Sequence, residues 1–286
     1  MESIDRLSSL LERFRVRAHL FHNGSLCGLV RFDAQPGRAF LHLLKRGEMA
    51  VLHPRGSGAP ARVQLDEPTL LFYPRAFEHT FENPPEDGAD LVCATLDFDG
   101  GSNHPLASAL PPVLVLPLSR MEGLGQTLEL LFAEAARVQC GQRLLADRLF
   151  EVLVLQLLRW LLDHAEEAGL QDGLLAGLSH PRLARVLTAI HEEPGKPWTL
   201  ASMADAAGMS RSAFAASFRE VVGSTPADYL QRWRIAIAQS LLREGASIKT
   251  ASFQLGYRSP ASLSRAFTQT LGESPRQWLQ AQRAAA

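Results

Sequence analysis

The stretch TLASMADAAGMSRSAFAASFREVVGSTPADYL, residues 199–230, decides the fold because the chain repeats it as SIKTASFQLGYRSPASLSRAFTQTLGESPRQWL, residues 247–279. Gly208 aligns with Gly256, Ser210 with Ser259, Phe214 with Leu263 and Phe218 with Phe267. Further on, Gly223 aligns with Gly272, Pro226 with Pro275, and Tyr229-Leu230 with Trp278-Leu279. The offset is 48 residues at Gly208 and 49 from Ser210 onward, so the copies differ by one turn residue. A repeat of this length is one supersecondary unit used twice.

Within the first copy, Leu200, Met203, Ala204 and Ala207 recur at helical spacing, and Gly208 supplies the positive φ that ends a helix. Ser210 is placed to cap the next helix. There Phe214 and Phe218 face a core, which turns Arg211, Ser212, Ala215 and Arg219 outward. Ala204 and Ser252 are small enough to let two helices cross closely. Helix, glycine-bearing turn and helix make a helix-turn-helix. One such unit suits an ordinary helical bundle. Two, joined by a helix with Tyr229, Trp233, Ile237 and Leu241 on one stripe, point to a recognition module.

The motifs are specific: Ala-x-x-x-Gly-x-Ser before Phe-x-x-x-Phe-Arg, Gly-Tyr before Phe267, and the ends Gly223–Pro226 and Gly272–Pro275. On these residues the segment 198–279 resembles the DNA-binding domain of the AraC/XylS transcription regulators. The resemblance implies two recognition helices that enter successive major grooves on one face of double-stranded DNA. The first would aim Ser212, Ala215 and Ala216 at bases, and the second Ala261, Ser262 and Arg265. Small side chains offer a hydroxyl and methyl contacts to thymine, whereas Arg265 can fork onto a guanine. Arg211, Arg219, Lys249 and Arg258 are better placed for phosphates, which position a protein without reading sequence.

Charge agrees with that module. The net charge of −1 hides an asymmetry: residues 180–286 carry 13 Lys and Arg against 7 Asp and Glu, whereas residues 1–179 carry 16 against 23. A basic end on an acidic body is the footprint of a phosphate-binding domain. No run approaches the roughly 18 apolar residues of a membrane span. The opening MESIDRLSSLLERF reads as an amphipathic helix without a signal-peptide layout. Cys27, Cys93 and Cys140 are too dispersed for a disulfide framework or zinc set, so a cytoplasmic protein with reduced thiols is expected.

Residues 16–117 change character. VRAHLF, LCGLVRF, AFLHLL, MAVLH, RVQL, TLLFY, HTF and DLVCATLDF are short apolar runs separated by turn signals, which predicts an all-β sandwich or barrel. Asn23-Gly24 and Arg46-Gly47 are expected at hairpin turns. FHNGSLCG, AFLHLLKRGEM, LLFYPRAFEH and HPLASALPPVLVL resemble the cupin-like sensor domain found in many such regulators. Residues 119–138 and 142–165 then read as helices, the second apolar on more than one face and so buried under the barrel or against a second copy. AEEAGLQDGLLAG reads as a hinge, and His180-Pro181 opens the next helix.

Two groups in the barrel invite chemistry. Metal-binding cupins use a His-x-His pair, a glutamate and a later histidine; here His42 is followed by Leu44 where the second histidine would stand. Glu48 and His79 are further candidates, with His22 and His53 nearby in sequence. The bland alternative makes His42 and His79 walls of an organic-effector pocket, with no metal or other cofactor. Cys27 and Cys93 are either small buried hydrophobes or a redox pair.

The expected architecture is α+β and multidomain: a cupin-like β-barrel with its N-terminal helix over residues 1–117, a helical connector for dimerisation over 118–179, and an all-α domain with two helix-turn-helix units over 180–286. The resemblance implies a transcription regulator without catalytic residues, more commonly an activator, that acts as a homodimer on promoter DNA and RNA polymerase. A small-molecule effector or an oxidant would act at the barrel. The rival reading is a metal-dependent cupin enzyme fused to a DNA-binding domain, and Leu44 argues against it.

Overall fold

The computed structural model describes residues 4–99 and 104–285. The chain forms two compact units: Arg15–Leu170, and a helical unit that joins the residues up to Phe14 to those from Gln171 onward.

In the first unit each apolar run becomes a strand: β1 (Val16–Leu26), β2 (Gly28–Phe32), β3 (Arg38–Arg46), β4 (Met49–Leu52), β5 (Arg62–Leu65), β6 (Thr69–Tyr73), β7 (His79–Asn83) and β8 (Ala89–Phe98). A short helix, α2 (Pro105–Ala109), precedes β9 (Leu114–Pro117). The strands form two sheets, ordered β1-β8-β3-β6-β9 and β2-β7-β4-β5, with antiparallel pairing. Alternation sends Phe40, Leu44, Leu71, Tyr73, Leu91 and Cys93 from the five-stranded sheet into one core with Met49, Val51, Leu65 and Phe81 from the other. Among the described residues no strand pairing closes the sheets into a ring, so the expected barrel is an open, cupin-like pair of sheets.

Arg46-Gly47 turns the chain as expected, with Gly47 at φ 92°. Asn23-Gly24 does not. There β1 runs on, pairing Asn23 with Val92 and Gly24 with Leu91, and the reversal falls at Cys27-Gly28. The long partner β8 supplies a continuous hydrogen-bond ladder, which outweighs the local turn preference. A bulge at Phe21 lies between the pairs Leu20–Ala94 and His22–Cys93.

Helices α3 (Gly125–Ala135) and α4 (Gln142–Asp163) belong to the sheet unit rather than to a separate connector. The reason is visible at β1, where Asp147 Oδ1 accepts from Leu20 N at 2.7 Å and Asn23 Nδ2 donates to Ala135 O at 2.9 Å. Leu149, Leu153, Leu157 and Leu161 of α4 are buried, while Leu145 and Val152 remain 45% and 44% exposed.

The helical unit holds α1 (Ser8–Arg13), α5 (Leu174–Ser179), α6 (Leu183–Glu192), α7 (Leu200–Ala206), α8 (Arg211–Val222), α9 (Pro226–Arg243), α10 (Ile248–Gln254), α11 (Pro260–Leu271) and α12 (Pro275–Ala285). The sequence repeat is a repeat of cap chemistry. Ser210 Oγ accepts from Ala213 N at 3.3 Å, and Ser259 Oγ from Ser262 N at 3.2 Å. Gly223 and Gly272 end the same helices in the left-handed region. Gly256, at φ 73°, is needed twice over, since a Cβ there would collide with the Gly195 carbonyl oxygen.

The expected boundaries at 117/118 and 179/180 shift for a packing reason. α1 leaves the β unit because Leu7, Leu10 and Phe14 are buried in the helical unit, with the Phe14 ring 5.2 Å from Trp233. Arg6 Nη1 donates to Leu178 O at 3.1 Å, and Arg13 Nε to His191 O at 3.2 Å. The expected hinge also contributes its second half to this core, as Leu174, Leu175 and Leu178 of α5 are buried. Among the described residues no helix is long and apolar enough to cross a membrane.

Phe14→Ala should therefore destabilise the helical unit by about 3 kcal/mol, a usual cost for emptying a buried phenylalanine site. Denaturant unfolding followed by tryptophan fluorescence measures it, and an unchanged midpoint would show that α1 is an appendage.

Candidate functional site

The helical unit presents one set of residues outward on α8 and another on α11. On α8, Arg211, Ser212, Ala216 and Arg219 are exposed and Ala215 is half-buried, while Phe214 and Phe218 anchor the opposite face at full burial. On α11, Ala261 and Arg265 are exposed and Ser262 is half-buried above Leu263 and Phe267. Lys249 lies exposed on α10, and Arg258 on the turn before α11. The side chains of Arg211, Arg219, Lys249, Arg258 and Arg265 make no hydrogen bond or ion pair among the described residues. Arg234 differs, with Nε donating to Pro194 O at 2.7 Å and Nη2 to Lys196 O at 2.9 Å. Among the described residues, Arg234 is thus tied to the backbone whereas the outward cations are not. The Ser262 hydroxyl is engaged with Ser259 Oγ at 2.8 Å, and Arg265 is the cation of its helix.

Between the sheets, the structure brings His42 and His79 together. His79 Nδ1 lies 3.0 Å from the Phe77 carbonyl oxygen and must donate to it. Its Nε2 is then the lone pair, accepting from His42 Nε2–H at 2.9 Å. By elimination His42 Nδ1 is an unprotonated acceptor, buried and without a hydrogen-bond partner among the described residues. Aromatic rings enclose the pair: the His79 ring stacks on Tyr73 at 4.0 Å and on Phe32 at 4.9 Å, and Phe40 stacks on His42 at 5.7 Å. A parallel relay runs from Tyr73 Oη–H to His53 Nε2 at 2.9 Å, with His53 Nδ1 donating to the Pro60 carbonyl. Burial pushes the Tyr73 phenol up and holds His42 well below the usual imidazole range, the nearby His79 and His22 adding to the effect on His42. Burial likewise lowers His79 to about 4, against the opposing hydrogen bond to Phe77.

This pair does not fit a resident metal. Among the described residues no three His, Cys, Asp or Glu side chains converge as a ligand set, and the two imidazoles spend their facing nitrogens on each other. Cys27 and Cys93 are not brought together either. Ala89 lies opposite Leu26, whereas Cys93 lies opposite His22, four residues or about 13 Å further along β8. That exceeds the ~7 Å reach of a disulfide. Cys93 is a buried core residue whose thiol burial pushes up, while Cys27 and Cys140 are exposed.

Sequence reading missed the ring partners Phe32 and Tyr73 and named His53 only as a neighbour in sequence, although the two-residue alternation of β2 and β6 was available to place Phe32 and Tyr73 inward. It also missed a groove of about 610 Å³ beside α8, naming as site residues only Ala215, Ala216 and Arg219 of its lining.

Comparison with known proteins supplies an independent result. A cupin family model matches residues 5–163, and a helix-turn-helix domain model matches residues 203–281. A putative AraC-like transcription regulator of Streptomyces lividans is 31% identical, over 95% of this chain and 97% of that protein. Another from Streptomyces antibioticus is 32% identical with the same coverage, 95% and 97%. The RCS-specific transcriptional activator RclR of Escherichia coli K12 is 27% identical, over 80% of this chain and 84% of its own.

The buried histidines predict acid sensitivity. Unfolding restores His79 from about 4 to an ordinary value of 6.5, so below pH 6.5 the unfolded chain takes up a proton that the folded one refuses. Stability contributed by the neutral ring is complete above pH 6.5 and is lost as pH falls toward 4. His79 alone should remove about 2 kcal/mol between pH 7 and 5. His79→Phe should flatten the pH dependence of the melting temperature over that interval, and equal slopes would disprove the linkage.

Proposed function

This chain belongs to the AraC-like transcription regulators, and from that premise we propose how it reads DNA and what its sheets respond to. It is a DNA-binding transcription regulator. α11 reads bases chiefly through Arg265, α8 contributes methyl and hydroxyl contacts from Ser212, Ala215 and Ala216, and Ala261 and Ser262 lie against the same groove as Arg265. Arg211, Arg219, Lys249 and Arg258 hold phosphates. The observation that carries this reading is the pair of identically capped helices whose outward cations have no partner among the described residues.

The space between the sheets, at His42 and His79, receives a small-molecule effector. The unpartnered His42 Nδ1 supports it, since a buried lone pair without a donor is costly and a ligand donor would satisfy it. The regulator acts in the cytoplasm and engages RNA polymerase at a promoter as an activator, the last point supported by the relative RclR, which is named a transcriptional activator. It works as a homodimer, and the exposed Leu145 and Val152 of α4 support a second copy packing there.

Arg265→Ala should relax base preference at one position of the half-site, a loss of about 1–3 kcal/mol of discrimination. Arg219→Ala should instead weaken binding almost uniformly and lower the salt slope by about 1. Binding to a library of single base-pair variants tests both, and unchanged base preference in Arg265→Ala would remove that residue from base reading. Replacing Leu145 and Val152 together by glutamate should convert a dimer to a monomer in sedimentation. A double variant that still sediments as a dimer would move the interface elsewhere.

A further inference from the structure

Beside α8, against α7 and the start of α9, lies the groove of about 610 Å³, within the usual size range of small-molecule sites. Its walls are apolar. Trp198, Leu200, Met203 and Leu230 line it, and Met203 and Leu230 are only 2% and 7% exposed. The charged side chains in its lining are Arg219 and Arg234, and no aspartate or glutamate is among the residues that form it. Arg234 is held rigidly: two backbone carbonyls fix its guanidinium, which lies 5.6 Å from the Tyr257 ring centroid. Nη1 of Arg234 keeps its donors uncommitted, and Arg219 has no partner among the described residues.

The groove exists because α8 carries alanine at two positions that border it, Ala215 and Ala216. The space behind those methyls is walled by Met203 and Leu230, which cannot satisfy the polar atoms of an inserted base edge. An apolar body with one negative end satisfies both parts of the lining. Two arginines in one lining that holds no aspartate or glutamate favour a carboxylate for that end.

We propose that this groove binds a small amphipathic monocarboxylate, its chain against Trp198, Leu200, Met203 and Leu230 and its carboxylate on Arg219 and Arg234, and that occupancy excludes DNA from α8. The exclusion rests on the reading of α8 as a DNA-facing helix; the binding itself does not.

Octanoate, with 1-octanol as its uncharged counterpart, tests the proposal by calorimetric titration of the full chain. Octanoate should bind saturably with one site per chain, and octanol at least tenfold more weakly. Arg219→Gln should reduce octanoate affinity at least tenfold and leave octanol binding unchanged. Ala227→Trp, which fills the groove from an exposed position on α9, should reduce both, with thermal melts verifying that each variant is folded. Absence of saturable octanoate binding at millimolar concentration overturns the site, as does octanoate binding that both folded variants retain in full. In a second arm, octanoate should displace a labelled duplex that the full chain has selected from a random library. Binding without displacement overturns the exclusion and the DNA-facing reading of α8 together. Failure of binding overturns the groove site and leaves that reading standing.

Discussion

Phe14 lies with its ring centroid 5.2 Å from that of Trp233, and the helical unit is built around that contact between distant parts of the chain. Trp233 sits in α9, the helix that joins the two helix-turn-helix units, and it also packs against His191 of α6 at 4.1 Å. The first helix therefore completes a core whose remaining residues come after Leu170. One consequence is topological. The chain enters the helical unit, leaves it at Phe14 to build the two sheets, and returns at Gln171, so two covalent links join the units where a simple tandem arrangement has one. Any ligand-driven change in the sheet unit has two points at which to act on the helices, α1 being one.

Both units keep neutral imidazoles at full burial. His191 donates to or accepts from Tyr229 Oη at 2.6 Å, and burial lowers its pKa to about 3, with Arg13 reinforcing the effect. His42 and His79 do the same between the sheets. A buried polar pair costs more than an apolar one unless every atom is satisfied, and in return it fixes one arrangement of its neighbours. In the helical unit that arrangement ties α6 to α9. Each pair also leaves one buried nitrogen without a hydrogen-bond partner among the described residues, Nδ1 of His191 and Nδ1 of His42.

α8 and α11 share their framework and differ in what they offer. Serine caps begin both and left-handed glycines end both, so their backbones are set by the same local rules. Arg265 gives α11 a long, directional donor. On α8 the equivalent outward surface is made of Ser212, Ala215 and Ala216, and the room left by those small side chains opens the groove that reaches Met203. A long donor on α11 and groove volume on α8 thus occupy equivalent positions of the repeat.

Much of this was legible in the sequence because it is local. The repeat, the caps Ser210 and Ser259, the glycines ending α8 and α11, and the eight apolar strand runs all follow from the preferences of residues close together in the chain. The outward placement of Arg219 and Arg265 follows from helical periodicity once Phe214, Phe218 and Phe267 are taken as the core. Tertiary structure alone decided that α1 packs with Trp233 rather than with the sheets, because an amphipathic helix specifies an apolar face but not its partner. It alone decided that β1 runs through Asn23-Gly24, because the ladder along β8 overrides a two-residue turn signal. The facing of His42 and His79, the separation of Cys27 from Cys93, and the groove between Arg219 and Arg234 are likewise pairings across the chain. Register and packing between distant segments set them, and no short-range pattern carries that information.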